Sequence, residues 1–145
     1  MFLGDEVCSS ELSSKHQPFG NNDRLIKRLV SRENLLVAHF DRREDMRGFH
    51  TQNEENPWIM LELKGKHRIS GLIIDAFGYH NRNMCVWVSN DGKNETLVCK
   101  ADETRRRYRI DLQNKNVSAK FIRIGRAPGT PKDWFYLDKI VIYGK

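Results

Sequence analysis

The stretch NPWIMLEL, residues 56–63, decides the fold class of this chain. Its apolar residues alternate with others, so that Ile59, Leu61 and Leu63 share one face of an extended strand. The following run, Arg68–Ala76, is rich in β-branched residues and predicts a second, more fully buried strand. From Asn56 onward the pattern is therefore one of short strands.

Further short strands follow to the end of the chain. They are predicted at Met84–Ser89, Thr96–Lys100, Arg105–Leu112, Lys120–Ile124 and Tyr136–Tyr143. The turn Asn90-Asp91-Gly92 separates the first two, and its glycine supplies the positive φ that a reversal needs. Six or seven short strands with regularly spaced turns predict an all-β, antiparallel sandwich or barrel.

The first part of the chain has a different pattern. Asn21–Val37 carries apolar residues at loosely helical spacing, with Asn22 or Asp23 as a candidate N-cap, and predicts a short helical or irregular segment. No apolar run approaches the roughly 18 residues of a membrane span. Met1–Ser14 lacks the basic and apolar regions of a signal peptide. An intracellular protein and a fragment of a larger secreted protein both remain open.

Five motifs, in order, resemble the F5/8 type C (discoidin) family. They are Phe49-His50-Thr51 with 56–63, Ile69–Leu72, Arg82 with Val86–Gly92, Phe121–Ile124, and Leu137–Gly144. The resemblance covers about residues 47–145 and implies a galactose-binding-like jelly-roll sandwich within a single domain, 1–145. It places Phe49 and Trp58 at core positions. It also implies ligand binding by loops at one end of the sandwich.

Many members of this family hold a structural Ca²⁺, and the resemblance places the corresponding loop at Asp41–Asp45. Asp41 and Asp45 are the candidate metal ligands, but the loop also carries two arginines, and Lys139 stands where the family has a glutamate. Calcium needs six to eight oxygen ligands, which a nearby ammonium would repel. We therefore expect no required cofactor, with Lys139 neutralising Asp41 or Asp45 in place of calcium.

The resemblance gathers three segments at the ligand end: 41–51, 77–83 and 126–135. The candidate ligand-binding residues there are His50, Tyr79, His80, Asn81, Arg82, Arg126, Trp134 and Phe135. Aromatic rings and planar polar side chains suit a pyranose, and arginine also suits an acidic sugar. We expect Trp134 or Phe135 to pack beneath its loop. Arg82 either bridges loops or contacts the ligand.

Composition excludes little but favours some partners. The net charge of +6 and the pI near 9.4 favour an anionic partner.

Three cysteines form no disulfide framework, and we expect Cys85 and Cys99 to be buried thiols. The five histidines show no metal-ligand spacing. Glycoside hydrolysis would need Glu54 or Glu55 beside Asp133, which no sequence pattern places together, so we expect no enzyme.

Three functions stay open at this point. The first is a non-catalytic, lectin-like module that recognises a glycan, with an acidic sugar as one candidate, and that works beside additional domains. The second is an intracellular protein-interaction or scaffold module of the same fold. The third is binding of anionic lipid or nucleic acid through Arg105–Arg109; nucleic acid is disfavoured because no aromatics interleave with those arginines.

Overall fold

The computed structural model describes residues 1–13, 29–30, 49–76 and 81–145. The strands within these ranges are β1 (Val7–Leu12), β2 (Phe49–His50), β3 (Trp58–Asp75), β4 (Met84–Ser89), β5 (Thr96–Lys100), β6 (Arg107–Asp111), β7 (Ser118–Arg126), β8 (Tyr136–Leu137) and β9 (Lys139–Gly144). Two 3₁₀ turns lie at Gly4–Glu6 and Gln113–Lys115. All named strand pairs are antiparallel, which confirms the predicted all-β sandwich.

The strand β3 belongs to both layers of the sandwich. Its first part pairs with β1 and β7 in a sheet of order β1-β3-β7-β4-β5. Its second part, Ile69–Asp75, lies between β6 and β9. Gly65, with φ of 126°, lies at the irregularity in the pairing with β7 between Glu62 and His67, and adopts a backbone conformation that favours glycine. The two strands predicted at 58–63 and 68–76 are therefore one continuous, bent strand.

The core lies between the two layers and is built from alternating strand residues. Ile59, Leu61 and Leu63 are fully buried, as their spacing predicts. Leu72 and Ile74 of the second part of β3 face them from the other sheet. Trp58, by contrast, is only half-buried, so its predicted place in the core is not the one observed. It pairs with Gly125, where an added Cβ would come within 2.9 Å of the Trp58 Cβ.

Other predicted elements were recovered to different degrees. The hairpin β4–β5 has the predicted bounds, and Gly92 has the expected positive φ of 76°. The strand predicted at Tyr136–Tyr143 is divided at Asp138: β8 pairs with β2, and β9 with β3. The backbone N–H of Asp138 donates instead to the Asp75 carbonyl, 2.8 Å away.

The N-terminal part of the chain supplies a strand that was not predicted, β1, at the edge of the larger sheet. The helical segment predicted at Asn21–Val37 lies outside the described residues, except for Leu29 and Val30. Leu29 is buried, and Val30 forms a parallel bridge with Ile140. Among the described residues, none belongs to a helix with the length and apolarity that crossing a bilayer requires.

Candidate functional site

Three described segments meet at one end of the sandwich: 51–57, 81–83 and 126–135. The Thr51 N–H donates to the Phe135 carbonyl at 3.0 Å, and Glu54 and Asp133 exchange a pair of backbone hydrogen bonds at 3.3 Å. On the other side, the carbonyl of Asn83 accepts from the backbone N–H of Ala127 at 2.8 Å. The long loop after β7 is therefore fastened on both sides by backbone pairing.

Trp134 and Phe135 point to opposite sides of this loop. The Trp134 residue is 44% exposed, whereas Phe135 is completely buried. The Thr51 hydroxyl accepts from the Phe135 N–H at 2.9 Å, and the Asp133 carboxylate accepts from the Trp134 N–H at 2.8 Å. The indole thus projects outward from a backbone held by the side chains of Thr51 and Asp133, and Phe135 is the residue that packs beneath the loop.

The carboxylate of Asp133 lies between two arginines. Its Oδ2 is 3.5 Å from Arg82 Nη2 and 3.7 Å from Arg126 Nη2. The Arg82 side chain is 47% exposed, and that of Arg126 is fully buried. Only Arg82 of the pair can therefore reach a ligand without rearrangement, while Arg126 lies inside the loop.

Arg126 supports the loop from within. Its Nη2 donates to the Trp134 carbonyl at 2.7 Å, and its guanidinium carbon lies 5.7 Å from the centre of the Phe135 ring. Burial lowers the pKa of Arg126, Asp133 opposes that shift, and the Arg82 cation adds to it. The buried Arg126 cation therefore links the Trp134 backbone to the Phe135 ring.

Asn81 fixes the beginning of the neighbouring segment. It is completely buried, and its side-chain oxygen accepts from the Tyr108 hydroxyl at 2.6 Å. The same hydroxyl accepts from the Arg105 N–H at 3.0 Å, and burial raises the pKa of Tyr108. Arg82 follows Asn81 directly, so the exposed arginine extends from a buried anchor.

Several predicted site residues lie outside this description. Tyr79 and His80, as well as the candidate metal ligands Asp41 and Asp45, fall outside the described residues. His50 belongs to β2 by its backbone. In the described parts of the chain, no three His, Cys, Asp or Glu side chains cluster in a way that could hold a metal ion.

Lys139 has a partner that sequence reasoning did not identify. Its Nζ lies 3.5 Å from Asp75 Oδ2, and both side chains are almost fully buried. Arg107 Nε donates to Asp75 Oδ1 at 2.6 Å, and its Nη2 donates to Oδ2 at 2.9 Å. Burial alone would raise the pKa of Asp75, but Arg107 and Lys139 outweigh it and hold that pKa below its ordinary value.

The carboxylates considered for hydrolysis are brought together by their backbones. Glu54 and Asp133 are bridge partners, which the sequence did not indicate. Glu54 Oε1 accepts from the Ser13 hydroxyl at 2.8 Å, and the same hydroxyl oxygen accepts from the Trp58 N–H at 2.9 Å. Each carboxylate therefore has structural partners: Ser13 for Glu54, and the two arginines for Asp133.

The sequence comparison decides the family. The model of the F5/8 type C family described as "NedA-like, galactose-binding domain" matches residues 42–124, more than half of the chain. The chain belongs to the F5/8 type C family. This match includes β3, β4, β5 and β6 and most of β7, and it ends just before the Asp133–Trp134 loop.

Solved structures share the fold of this F5/8 type C chain. A fucose-binding module of Streptococcus pneumoniae, SpX-3, superposes with a TM-score of 0.71 at 14% identity, covering 97% of this chain and 96% of that one. A Clostridium perfringens module, CpGH89CBM32-5, solved with GalNAc-β-1,3-galactose, gives 0.66 at 16% identity, covering 99% and 100%.

A third structure is a serum fucolectin of striped bass, Morone saxatilis. It gives a TM-score of 0.71 at 14% identity and covers 100% of this chain but 47% of the fucolectin chain. No curated protein sequence is significantly similar to this F5/8 type C chain.

Proposed function

We propose that this F5/8 type C chain is a non-catalytic, lectin-like module that binds a glycan at the Asp133–Trp134 loop. One observation carries the proposal: an exposed Trp134 ring stands beside an Arg82–Asp133 pair, on a backbone fastened by strand-like bridges. An aromatic platform next to planar polar groups is what a sugar ring with one apolar face and several hydroxyls requires.

The Arg82–Asp133 pair suits a vicinal diol. Each sugar hydroxyl both donates and accepts a hydrogen bond, so one can donate to the carboxylate while its neighbour accepts from the guanidinium. Both groups are preorganised by the loop, which lowers the entropy lost on binding. In this proposal Arg82 and Trp134 contact the sugar, and Asn81, Arg126 and Phe135 hold them in place. His50, Tyr79 and His80 remain predicted contacts.

The similar structures favour a neutral sugar as the first ligand to test. They include a fucose-binding module, a fucolectin and a complex with GalNAc-β-1,3-galactose. An acidic sugar is the second candidate, favoured by the net charge of +6 and by the half-exposed Arg82. Because the Asp133 carboxylate would repel an anionic sugar at this position, the neutral sugar is preferred.

The polyanion alternative is weakened by the partners of its arginines. Arg105 lies 2.7 Å from a Glu103 oxygen and 3.5 Å from an Asp102 oxygen. Arg107 binds the buried Asp75. Of the three arginines at alternating positions, Arg105, Arg107 and Arg109, the first two therefore already face carboxylates. This reduces the positive field available to lipid or nucleic acid.

The proposal is tested on a glycan array with purified protein at low and at physiological salt. The lectin function predicts discrete hits that survive physiological salt. Salt-sensitive binding to every polyanion would favour the basic surface instead. A blank array, together with specific capture of a protein, would favour the interaction module.

A further inference from the structure

The second part of β3 forms a sheet with β6 and β9, called the smaller sheet from here on, and its outer face carries a groove around Gly71. In β3, Gly71 stands opposite Asp111 of β6 on one side and Tyr143 of β9 on the other. Directly opposed residues share a face of a sheet. Leu72 and Ile142, next in sequence to Gly71 and Tyr143, are in the core, so the row of Asp111, Gly71 and Tyr143 faces outward.

The groove exists because the middle residue of this row has no side chain. It is an open depression of about 260 Å³, lined by Tyr143, Asp111, Arg109, Ile73 and Gln113, among others. A Cβ placed on Gly71 would lie 3.0 Å from the Ile110 carbonyl oxygen, closer than ordinary contact. The backbone of β6 thus disfavours a larger residue that would fill the groove.

The lining has the chemistry of a small sugar site. Tyr143 is half-buried and gives an aromatic wall, while Ile73, which is buried at 7% exposure, adds a small apolar surface. Arg109 and Asp111 are exposed, and alternate residues of one strand share a face. They offer donors and acceptors side by side, and their charges cancel. A groove lined by a cation and an anion favours a neutral polyhydroxyl ligand over a polyanion.

We propose that this groove is a second carbohydrate site, which takes one neutral hexose-sized unit. Its volume of about 260 Å³ lies just below the roughly 300 Å³ at which pockets for drug-sized ligands begin, which suits contact with a single ring. In this site the ring packs against Tyr143, and adjacent hydroxyls bind Asp111 and Arg109. The inference shares with the proposed function only the class of ligand, since no residue of the loop site lines the groove.

The second site lies apart from the loop site. The Asp75 carbonyl, at the end of β3, accepts from the Asp138 N–H just beyond the loop site. Gly71 is four residues from Asp75, or about 13 Å at the rise of an extended strand. Two sites on one chain that engage the same multivalent glycan raise its apparent affinity without any new contact. Each site is expected to be weak by itself, with a dissociation constant for a monosaccharide on the order of 1 mM.

The test is an NMR titration of the ¹⁵N-labelled protein with galactose, fucose and N-acetylgalactosamine, in which changes in the amide chemical shifts are measured. The proposal predicts saturable shifts at Gly71, Asp111 and Tyr143 that persist in Trp134→Ala. Tyr143→Ala and Asp111→Asn are each expected to weaken this response at least roughly tenfold. Asp111→Asn keeps the side-chain oxygen that accepts from the Gln113 N–H at 3.0 Å, so this variant should fold normally.

Asp102→Asn is the matched control, because Asp102 is an exposed carboxylate outside the groove lining. This variant should bind as the parent does. The second site would be overturned if none of the three sugars changed the amide shifts of the groove residues. It would also be overturned if those changes disappeared in Trp134→Ala. Groove shifts without any response near Trp134 would instead count against the loop site and leave the groove standing.

Discussion

The Tyr108 hydroxyl donates to the side-chain oxygen of Asn81 at 2.6 Å, and both residues are buried. This bond connects β6 of the smaller sheet to the segment that carries Arg82. A buried, fully satisfied polar pair of this kind positions a loop more sharply than apolar contact does. The exposed Arg82 of the candidate site is therefore held in place by residues that are themselves buried.

Removing that hydroxyl should destabilise the protein. Tyr108→Phe leaves the Asn81 oxygen and the Arg105 N–H without this partner, at a cost of about 1–3 kcal/mol of unfolding free energy. Urea unfolding measures the loss. Leu97→Ala, at an exposed apolar residue of β5, is the control and should change the unfolding free energy much less. Equal stability of parent and Tyr108→Phe would show that this bond does not hold the segment.

The two arginines beside Asp133 should separate binding from stability. Arg82→Ala is expected to weaken glycan binding roughly tenfold while changing the unfolding free energy by no more than about 0.5 kcal/mol. Arg126→Ala removes a buried cation from the Trp134 carbonyl and should cost about 1.5–3 kcal/mol of stability. Calorimetric titration and urea unfolding of both variants make the comparison. If Arg82→Ala lost stability and Arg126→Ala lost only glycan binding, the roles assigned to the two side chains would have to be exchanged.

The ionisation of Asp75 should make stability depend on pH in acid. Because its folded pKa lies below the unfolded value of about 3.9, the carboxylate contributes fully above that value. The contribution is lost as the pH falls through the folded pKa, since the unfolded chain then binds the proton more readily. Urea unfolding of parent and Asp75→Asn at about pH 7 and about pH 3 measures this.

Asp75→Asn also removes the carboxylate that faces the buried Lys139 and the half-buried Arg107. We expect a loss of about 3–5 kcal/mol at neutral pH, and a smaller difference from the parent in acid. Asp111→Asn, an exposed carboxylate on the same sheet, serves as the control. A difference that stays constant between the two pH values would mean that the Asp75 charge does not stabilise the fold.

The elements that sequence reasoning found are those with strong local signals. The β4–β5 hairpin follows from an Asn-Asp-Gly turn between two apolar runs, and its bounds were predicted correctly. The strand β1, Val7–Leu12, was missed because its six residues include two serines and a glutamate. Its conformation depends on the edge of β3, which no local pattern reveals.

The continuity of β3 was missed for a related reason. A glycine between two apolar runs is compatible with a turn and with a bend, and Gly65 makes a bend. Asp133 had no local signal either, because its role depends on Arg82, 51 positions earlier, and on a backbone bridge to Glu54. The exposed Trp134, in contrast, was predicted from its place in a long loop.

The central claim is tested most directly by calorimetric titration of Trp134→Ala with the strongest neutral glycan found on the array. Trp134 supplies the exposed ring, so the variant should bind at least roughly tenfold more weakly and unfold at the same urea concentration as the parent. Leu97→Ala, an exposed apolar residue on β5, should bind normally. Undiminished affinity of a folded Trp134→Ala variant would contradict glycan recognition at this loop.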